Sequence, residues 1–171
     1  MKLFKHIPNT ITSMNLLCGA LGVIFTSQGA LDIAFYLMLA AAVCDFFDGF
    51  AARLLKAYSP VGKELDSLAD CISFGLLPAM MMHRRLVEGG VTGFIAYIPL
   101  IISVFAALRL AKFNVDDRQS ENFLGLATPA CALWCGSLIY AADHGVVTFA
   151  SMLHDTWLIP IASVVLALLM V

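Results

Sequence analysis

Four aspartates carry the chemistry this sequence could do. Asp45 and Asp48 stand three positions apart, and Asp66 and Asp70 four apart, so each pair shares a face if its segment is helical. All four lie within or beside strongly apolar stretches, where one charge costs about 2.5–3.5 kcal/mol at the centre of a membrane helix. A structural salt-bridge cluster would need matching cations, and the nearby sequence offers mainly Arg53 and Lys63. Converging carboxylates repel strongly in a poorly solvated site unless cations neutralise them. Oxygen ligands of this kind select Mg2+, Mn2+ or Ca2+ over zinc, and no His or Cys lies at ligand spacing around them. Mg2+ takes a few protein carboxylates and completes its shell with water and substrate phosphate. Two ions so held can stabilise the attacking and leaving oxygens of a phosphoryl displacement.

The elements that must position these acids follow from composition. Of 171 residues, 61% are hydrophobic and 13% charged, and the mean hydropathy is +0.90. A soluble domain is nearer half apolar and a quarter charged, so lipid is the expected solvent and one all-α, polytopic membrane domain over residues 1–171 the expected architecture. Six apolar stretches approach the length of about 20 residues that a spanning helix needs: Pro8–Ser27, Leu31–Ala52, Leu65–Met82, Gly93–Leu108, Phe123–Ala142 and Val146–Val171. The last is the least regular. His154 and Asp155 interrupt it, and the chain stops within an apolar run, which leaves open an incomplete sixth helix. No cleavable signal peptide, internal repeat or soluble domain is evident. With the N-terminus inside, eight of the ten Lys and Arg residues are cytoplasmic and only Arg84 and Arg85 are external, which satisfies the positive-inside rule. The net charge of −2 gives no footprint for nucleic acid.

The loop between the second and third stretches contains Pro60 and Gly62, and these antiparallel neighbours bring both aspartate pairs to similar depth near the inner interface. Gly49 leaves room for a phosphate beside Asp48, although it and Ala52 also suit close helix packing. Arg53 could pair with phosphate or with a carboxylate, or serve as a topogenic anchor. Asn9, Thr12 and Asn15 put polar groups on one side of the first helix, suited to contacting a nucleotide or to capping the helix. Arg109 offers a planar fork for a carboxylate, Lys112 a less directional cation, and Asn114 an acceptor for an ammonium group; the alternative for the two cations is again topology. The five cysteines, Cys18, Cys44, Cys71, Cys131 and Cys135, form no Cys-x-x-Cys pair and read as small packing residues.

The full pattern, Asp-x2-Asp-Gly-x2-Ala-Arg-x8-Gly-x3-Asp-x3-Asp, occupies Asp45, Asp48, Gly49, Ala52, Arg53, Gly62, Asp66 and Asp70. It resembles the signature of the CDP-alcohol phosphotransferase family. The resemblance implies six transmembrane helices, a dinuclear site for Mg2+ or Mn2+ facing the cytoplasm of the cell membrane, and a homodimer. It implies that Asp45, Asp48 and Asp66 bind metal and that Asp70 is the general base and a further metal contact. Gly49, Ala52 and Arg53, with Asn9 and Thr12, would then belong to the CDP and phosphate pocket. Ile7–Asn15, the run from Gly62 to Ala79, Arg109–Asn114 and Gly125–Ala130 are similar to the branch of the family whose acceptor is serine. Lys112 stands there where a second Arg is usual, and Ala127 where Pro is common. The activity implied is transfer of a phosphatidyl group from CDP-diacylglycerol to the hydroxyl of L-serine, with Arg109, Lys112 and Asn114 around the serine. Glycerol 3-phosphate or inositol phosphate are rival acceptors. A cation or proton transporter is a more distant alternative, for which repeated halves and helices broken at mid-membrane would be expected.

Overall fold

The computed structural model describes residues 6–115, 125–145 and 157–171, and every regular element among them is helical. Helix α1 runs Ile7–Ser27, with Pro8 in its first turn, where the missing N–H costs nothing. A turn through Gly29, whose φ of +85° suits glycine, reverses the chain into α2, Leu31–Leu54. The third span combines α3, Pro60–Asp70, a π-helical segment, Cys71–Leu76, and α4, Leu77–Glu88. A 3-10 helix, Gly93–Leu100, leads into α5, Ile101–Val115. Helices α6, Thr128–Asp143, and α7, Leu158–Met170, complete the described bundle.

Four helical stretches are long and apolar enough to cross a bilayer: Ile7–Ser27, Leu31–Leu54, Pro60–Glu88 and Gly93–Val115, of 21, 24, 29 and 23 residues. The chain is thus an all-α, polytopic membrane protein. Helices α6 and α7, with 16 and 13 residues, fall short of the roughly 20 needed to span. Of the fifth expected stretch, Thr128 onwards is helical, and Phe123 lies outside the described residues. Of the sixth, residues 146–156 lie outside them, as do Lys2, Lys5 and Arg118.

The third span corrects one expectation. Pro60 and Gly62 are not in a loop but in the first turn of α3. Ser59 is the N-cap, its hydroxyl accepting from the Gly62 N–H at 3.0 Å, and Pro60 follows at the first helical position. Asp70 is therefore ten positions inside its span rather than five, roughly 15 Å along the axis. Asp45 is nine positions from the end of α2, roughly 14 Å, so the two still meet at one depth.

Large and small residues share the core, and many large apolar residues also face outward. Met38, Phe74, Leu77, Met81, Ile102, Cys131, Cys135 and Ile139 are fully buried, whereas Leu17, Ile24, Val43, Phe46, Phe50 and Leu168 face outward. Between membrane helices there is little hydrophobic driving force, so close backbone approach and interhelical hydrogen bonds decide the packing. At Gly19 a Cβ would lie 2.8 Å from the Ser73 Cα, so α1 touches the π-helical segment almost backbone to backbone. The five cysteines are free thiols, as expected. Leu126 donates to the Leu169 carbonyl at 2.8 Å, which puts the start of α6 beside the end of α7. Gly19→Leu should separate α1 from the third span and lower stability by about 2 kcal/mol or more, read as a fall in the thermal midpoint of the purified protein in detergent.

Candidate active site

Three helices build the site from one end of the bundle. The last turns of α2 contribute Asp45 and Asp48, α3 contributes Asp66 and Asp70, and α1 packs across both. Oxygen atoms of Asp45, Asp48 and Asp66 lie within 4.8 Å of one another. Asp48 is buried, and Asp45 and Asp66 are half-buried. Asp70 is also buried and lies within hydrogen-bonding reach of Asp45, a contact that two ionised carboxylates keep only with a shared proton or a cation between them. Asp48 Oδ2 and Asp66 Oδ1 are buried with no hydrogen-bond partner. Orphaned carboxylate oxygens at such a place are costly unless something positive completes them. The set is hard, anionic and convergent, so it fits a divalent cation that prefers oxygen.

Beside these acids is an open cavity of about 190 Å3, lined by Asn9 and Thr12 from α1, Asp48, Gly49 and Ala52 from α2, and Ser59, Gly62, Lys63 and Asp66 around the start of α3. Asn9, Thr12, Gly49 and Ala52 therefore share one recess. Gly62 closes its wall: a Cβ there would stand 2.9 Å from Asn9 Oδ1. Neither Asn9 nor Thr12 caps α1, whose N-cap, His6, makes no side-chain capping bond. The Thr12 hydroxyl reaches both the Pro8 carbonyl, at 3.0 Å, and the Asp48 carboxylate, and its single proton serves one of them at a time. Arg53 is exposed and does not line the cavity; its guanidinium lies 3.8 Å from where a Gly49 Cβ would be, at the rim.

Around α5 the expected residues separate. Arg109 is half-buried, donates to Thr128 Oγ1 at 2.9 Å and lies within electrostatic reach of Asp70. Asn114 donates to Ser67 Oγ at 2.9 Å, and its carbonyl accepts from Lys63 Nζ at 3.3 Å, so it ties α5 to α3. Lys112 is exposed on the α5 surface. Thr128 was not assigned to the site from sequence, and Asn15, grouped there with Asn9 and Thr12 as a nucleotide contact or cap, lies outside the recess and meets an acid instead. Thr128 meets Arg109 across a gap that covers residues outside the described set. Asn15, fully buried, donates from Nδ2 to Asp70 Oδ1 at 3.3 Å. A polar residue in an apolar helix was the available signal for Asn15, but nothing in its spacing says which acid it meets.

The basic residues at the other end are paired: Arg84 with Glu88 at 2.7 Å and Arg85 with Asp143 at 3.1 Å. The two ends differ in kind, one holding paired charges and the other clustered acids beside a recess.

A helical membrane protein with an acidic, oxygen-only cluster able to hold a divalent cation at one end of its spans is the class that fold and site define. The chain belongs to the CDP-alcohol phosphatidyltransferase family, whose model matches residues 5–170. It is 36% identical over 126 residues to the CDP-diacylglycerol–serine O-phosphatidyltransferase of Bacillus subtilis, covering 73% of this chain and 70% of that one. It is 34% identical to the protein of the same description from Mycobacterium leprae, covering 74% of this chain and 44% of that one. It is 30% identical to the archaetidylserine synthase of Methanothermobacter thermautotrophicus, covering 94% of this chain and 69% of that one. The chain thus spans from under half to about seven-tenths of these relatives' lengths.

Removing one carboxylate should weaken cation binding directly. Asp48→Ala and Asp66→Ala should each lower Mn2+ affinity by roughly tenfold or more, since even outer-shell changes cost that much. Calorimetric titration or Mn2+ paramagnetic resonance of the purified protein reads the change without any substrate.

Proposed function

We propose that the chain transfers the phosphatidyl group of CDP-diacylglycerol to the hydroxyl of L-serine, giving phosphatidylserine and CMP. The observation that carries this reading is the convergence of Asp45, Asp48 and Asp66 on a recess lined by Asn9, Gly49 and Ala52, with two buried carboxylate oxygens unpartnered. Family membership and the serine-utilising relatives support it.

Asp45, Asp48 and Asp66 would hold Mg2+ or Mn2+, with Asp70 as a further contact, in a site for two ions. When bound, the cations neutralise pyrophosphate charge and stabilise the leaving CMP. Asn9 and Thr12 contact the nucleotide, Gly49 and Ala52 give the phosphates close approach to α2, and Arg53 meets phosphate at the rim. The acyl chains stay in lipid against the outward side of α2. Asp70 accepts the proton of the serine hydroxyl. The serine oxygen forms its bond to the phosphorus bearing diacylglycerol as the bond from that phosphorus to CMP breaks, and Asp70 later returns its proton to solvent. Arg109, half-buried and within electrostatic reach of Asp70, receives the serine carboxylate with Lys112 as a second cation, and the Asn114 side-chain oxygen accepts from the serine ammonium. The membrane reading is six spans, with α6 and α7 completing the fifth and sixth, in the cell membrane, the acidic end cytoplasmic and the protein a homodimer.

Purified protein in detergent with Mn2+ and CDP-diacylglycerol should release CMP when serine is added, and not with glycerol 3-phosphate or inositol phosphate; labelled lipid product from another acceptor would reassign the substrate. Asp70→Asn should abolish turnover while leaving the thermal midpoint near wild type. Arg109→Ala should raise the KM for serine roughly tenfold or more, as loss of a charged hydrogen bond does, with little change in the KM for CDP-diacylglycerol.

A further inference from the structure

Asn15 is polar, lies in an apolar spanning helix and is fully buried, yet it lines neither the nucleotide recess nor any surface. An asparagine there is expensive unless its amide is used. Its Nδ2 donates to Asp70 Oδ1 at 3.3 Å, and its main-chain carbonyl accepts from Ser73 Oγ at 3.1 Å. One residue of α1 therefore grips the third span twice, at the acid and one turn beyond it. Between these points the third span passes from α-helix to π-helix, a change of winding that is frequent at functional sites. Gly19, one turn further along α1, lets the two backbones close on Ser73.

We propose that Asn15 is a positioning residue for the transfer reaction: its amide fixes the carboxylate of Asp70 so that the other carboxylate oxygen faces the acceptor hydroxyl. The inference rests on the role of Asp70 proposed above. It also explains why α1 is part of the catalytic structure. The helix that contributes Asn9 and Thr12 to the recess sets the orientation of the base two turns deeper. The Asn15 Oδ1 atom, buried without a partner, is the residual cost of a side chain retained for its donor.

Asn15→Leu keeps the branched, four-heavy-atom side chain and removes the donor. Its kcat should fall roughly 10- to 100-fold, as expected for losing a hydrogen bond to a charged group. The KM for CDP-diacylglycerol and the Mn2+ affinity, measured without substrate, should stay within about threefold of wild type. Asn15→Ser, which is smaller and too short to reach Asp70, should show the same split if the leucine variant does not fold. Ile159→Val, a core change in α7 chosen for a comparable loss of thermal stability, should keep its kcat. Wild-type kcat in either Asn15 variant would overturn the proposal. So would a loss confined to KM or Mn2+ affinity, or an equal kcat loss in the Ile159 control. If wild-type protein makes lipid from an acceptor other than serine, the Asn15 effect should persist with that acceptor; a wild-type protein that releases no CMP overturns the activity itself.

Discussion

Like charges held close together in a medium of low polarisability govern this molecule. Four carboxylates at one depth in a bundle of apolar helices would drive α2 and α3 apart by Coulomb repulsion alone. The structure meets them with a neutral donor, Asn15 on Asp70, and leaves two oxygens without partners. What neutral groups leave incomplete, a divalent cation and a polyphosphate can complete together. On that view, binding of cation and substrate also stabilises the fold, because both relieve a strain that the protein alone retains.

The same constraint explains the composition of the helix contacts. Small residues let α1 approach the acid-bearing third span, Gly19 against Ser73 and Gly62 against Asn9, and let α5 pack on its other side, Gly75 with a Cβ position 3.0 Å from the Ala106 side chain. The outward side of α2 is the converse. Phe46, Phe47 and Phe50 alternate with Asp45 and Asp48 and face away from the bundle, so a single stretch of helix is ionic inside and aromatic outside.

Much of this was legible in the residues. Asp45, Asp48, Asp66 and Asp70 announce themselves because charge in an apolar run is costly, and helical spacing pairs them without further information. The four longest spans follow from hydropathy and length. The start of the third span was missed because its first turn is polar, Lys63-Glu64 following Gly62, so hydropathy discounts it; the Ser59-Pro60 cap was the better signal. Asn15 was visible as a polar residue, but its partner is 55 positions away, and only the packing of α1 on the third span brings them together. Arg109 and Thr128 are joined in the same way, by tertiary approach rather than local spacing.

The π-helical segment Cys71–Leu76 sets the angular relation between the halves of the third span. An α-helix advances each residue by about 100° around its axis, so a widened turn shifts everything beyond it relative to what came before. The acidic half, with Asp66 and Asp70, is thus aimed at α1 and α2, while Phe74, Leu77 and Met81 are aimed into the apolar centre. Rewinding the same six residues as α-helix would leave the hydropathy of the span unchanged, yet it would rotate one half against the other by about a quarter turn. The acids and the core could not then both face inward, so the winding of this short stretch is constrained independently of its composition.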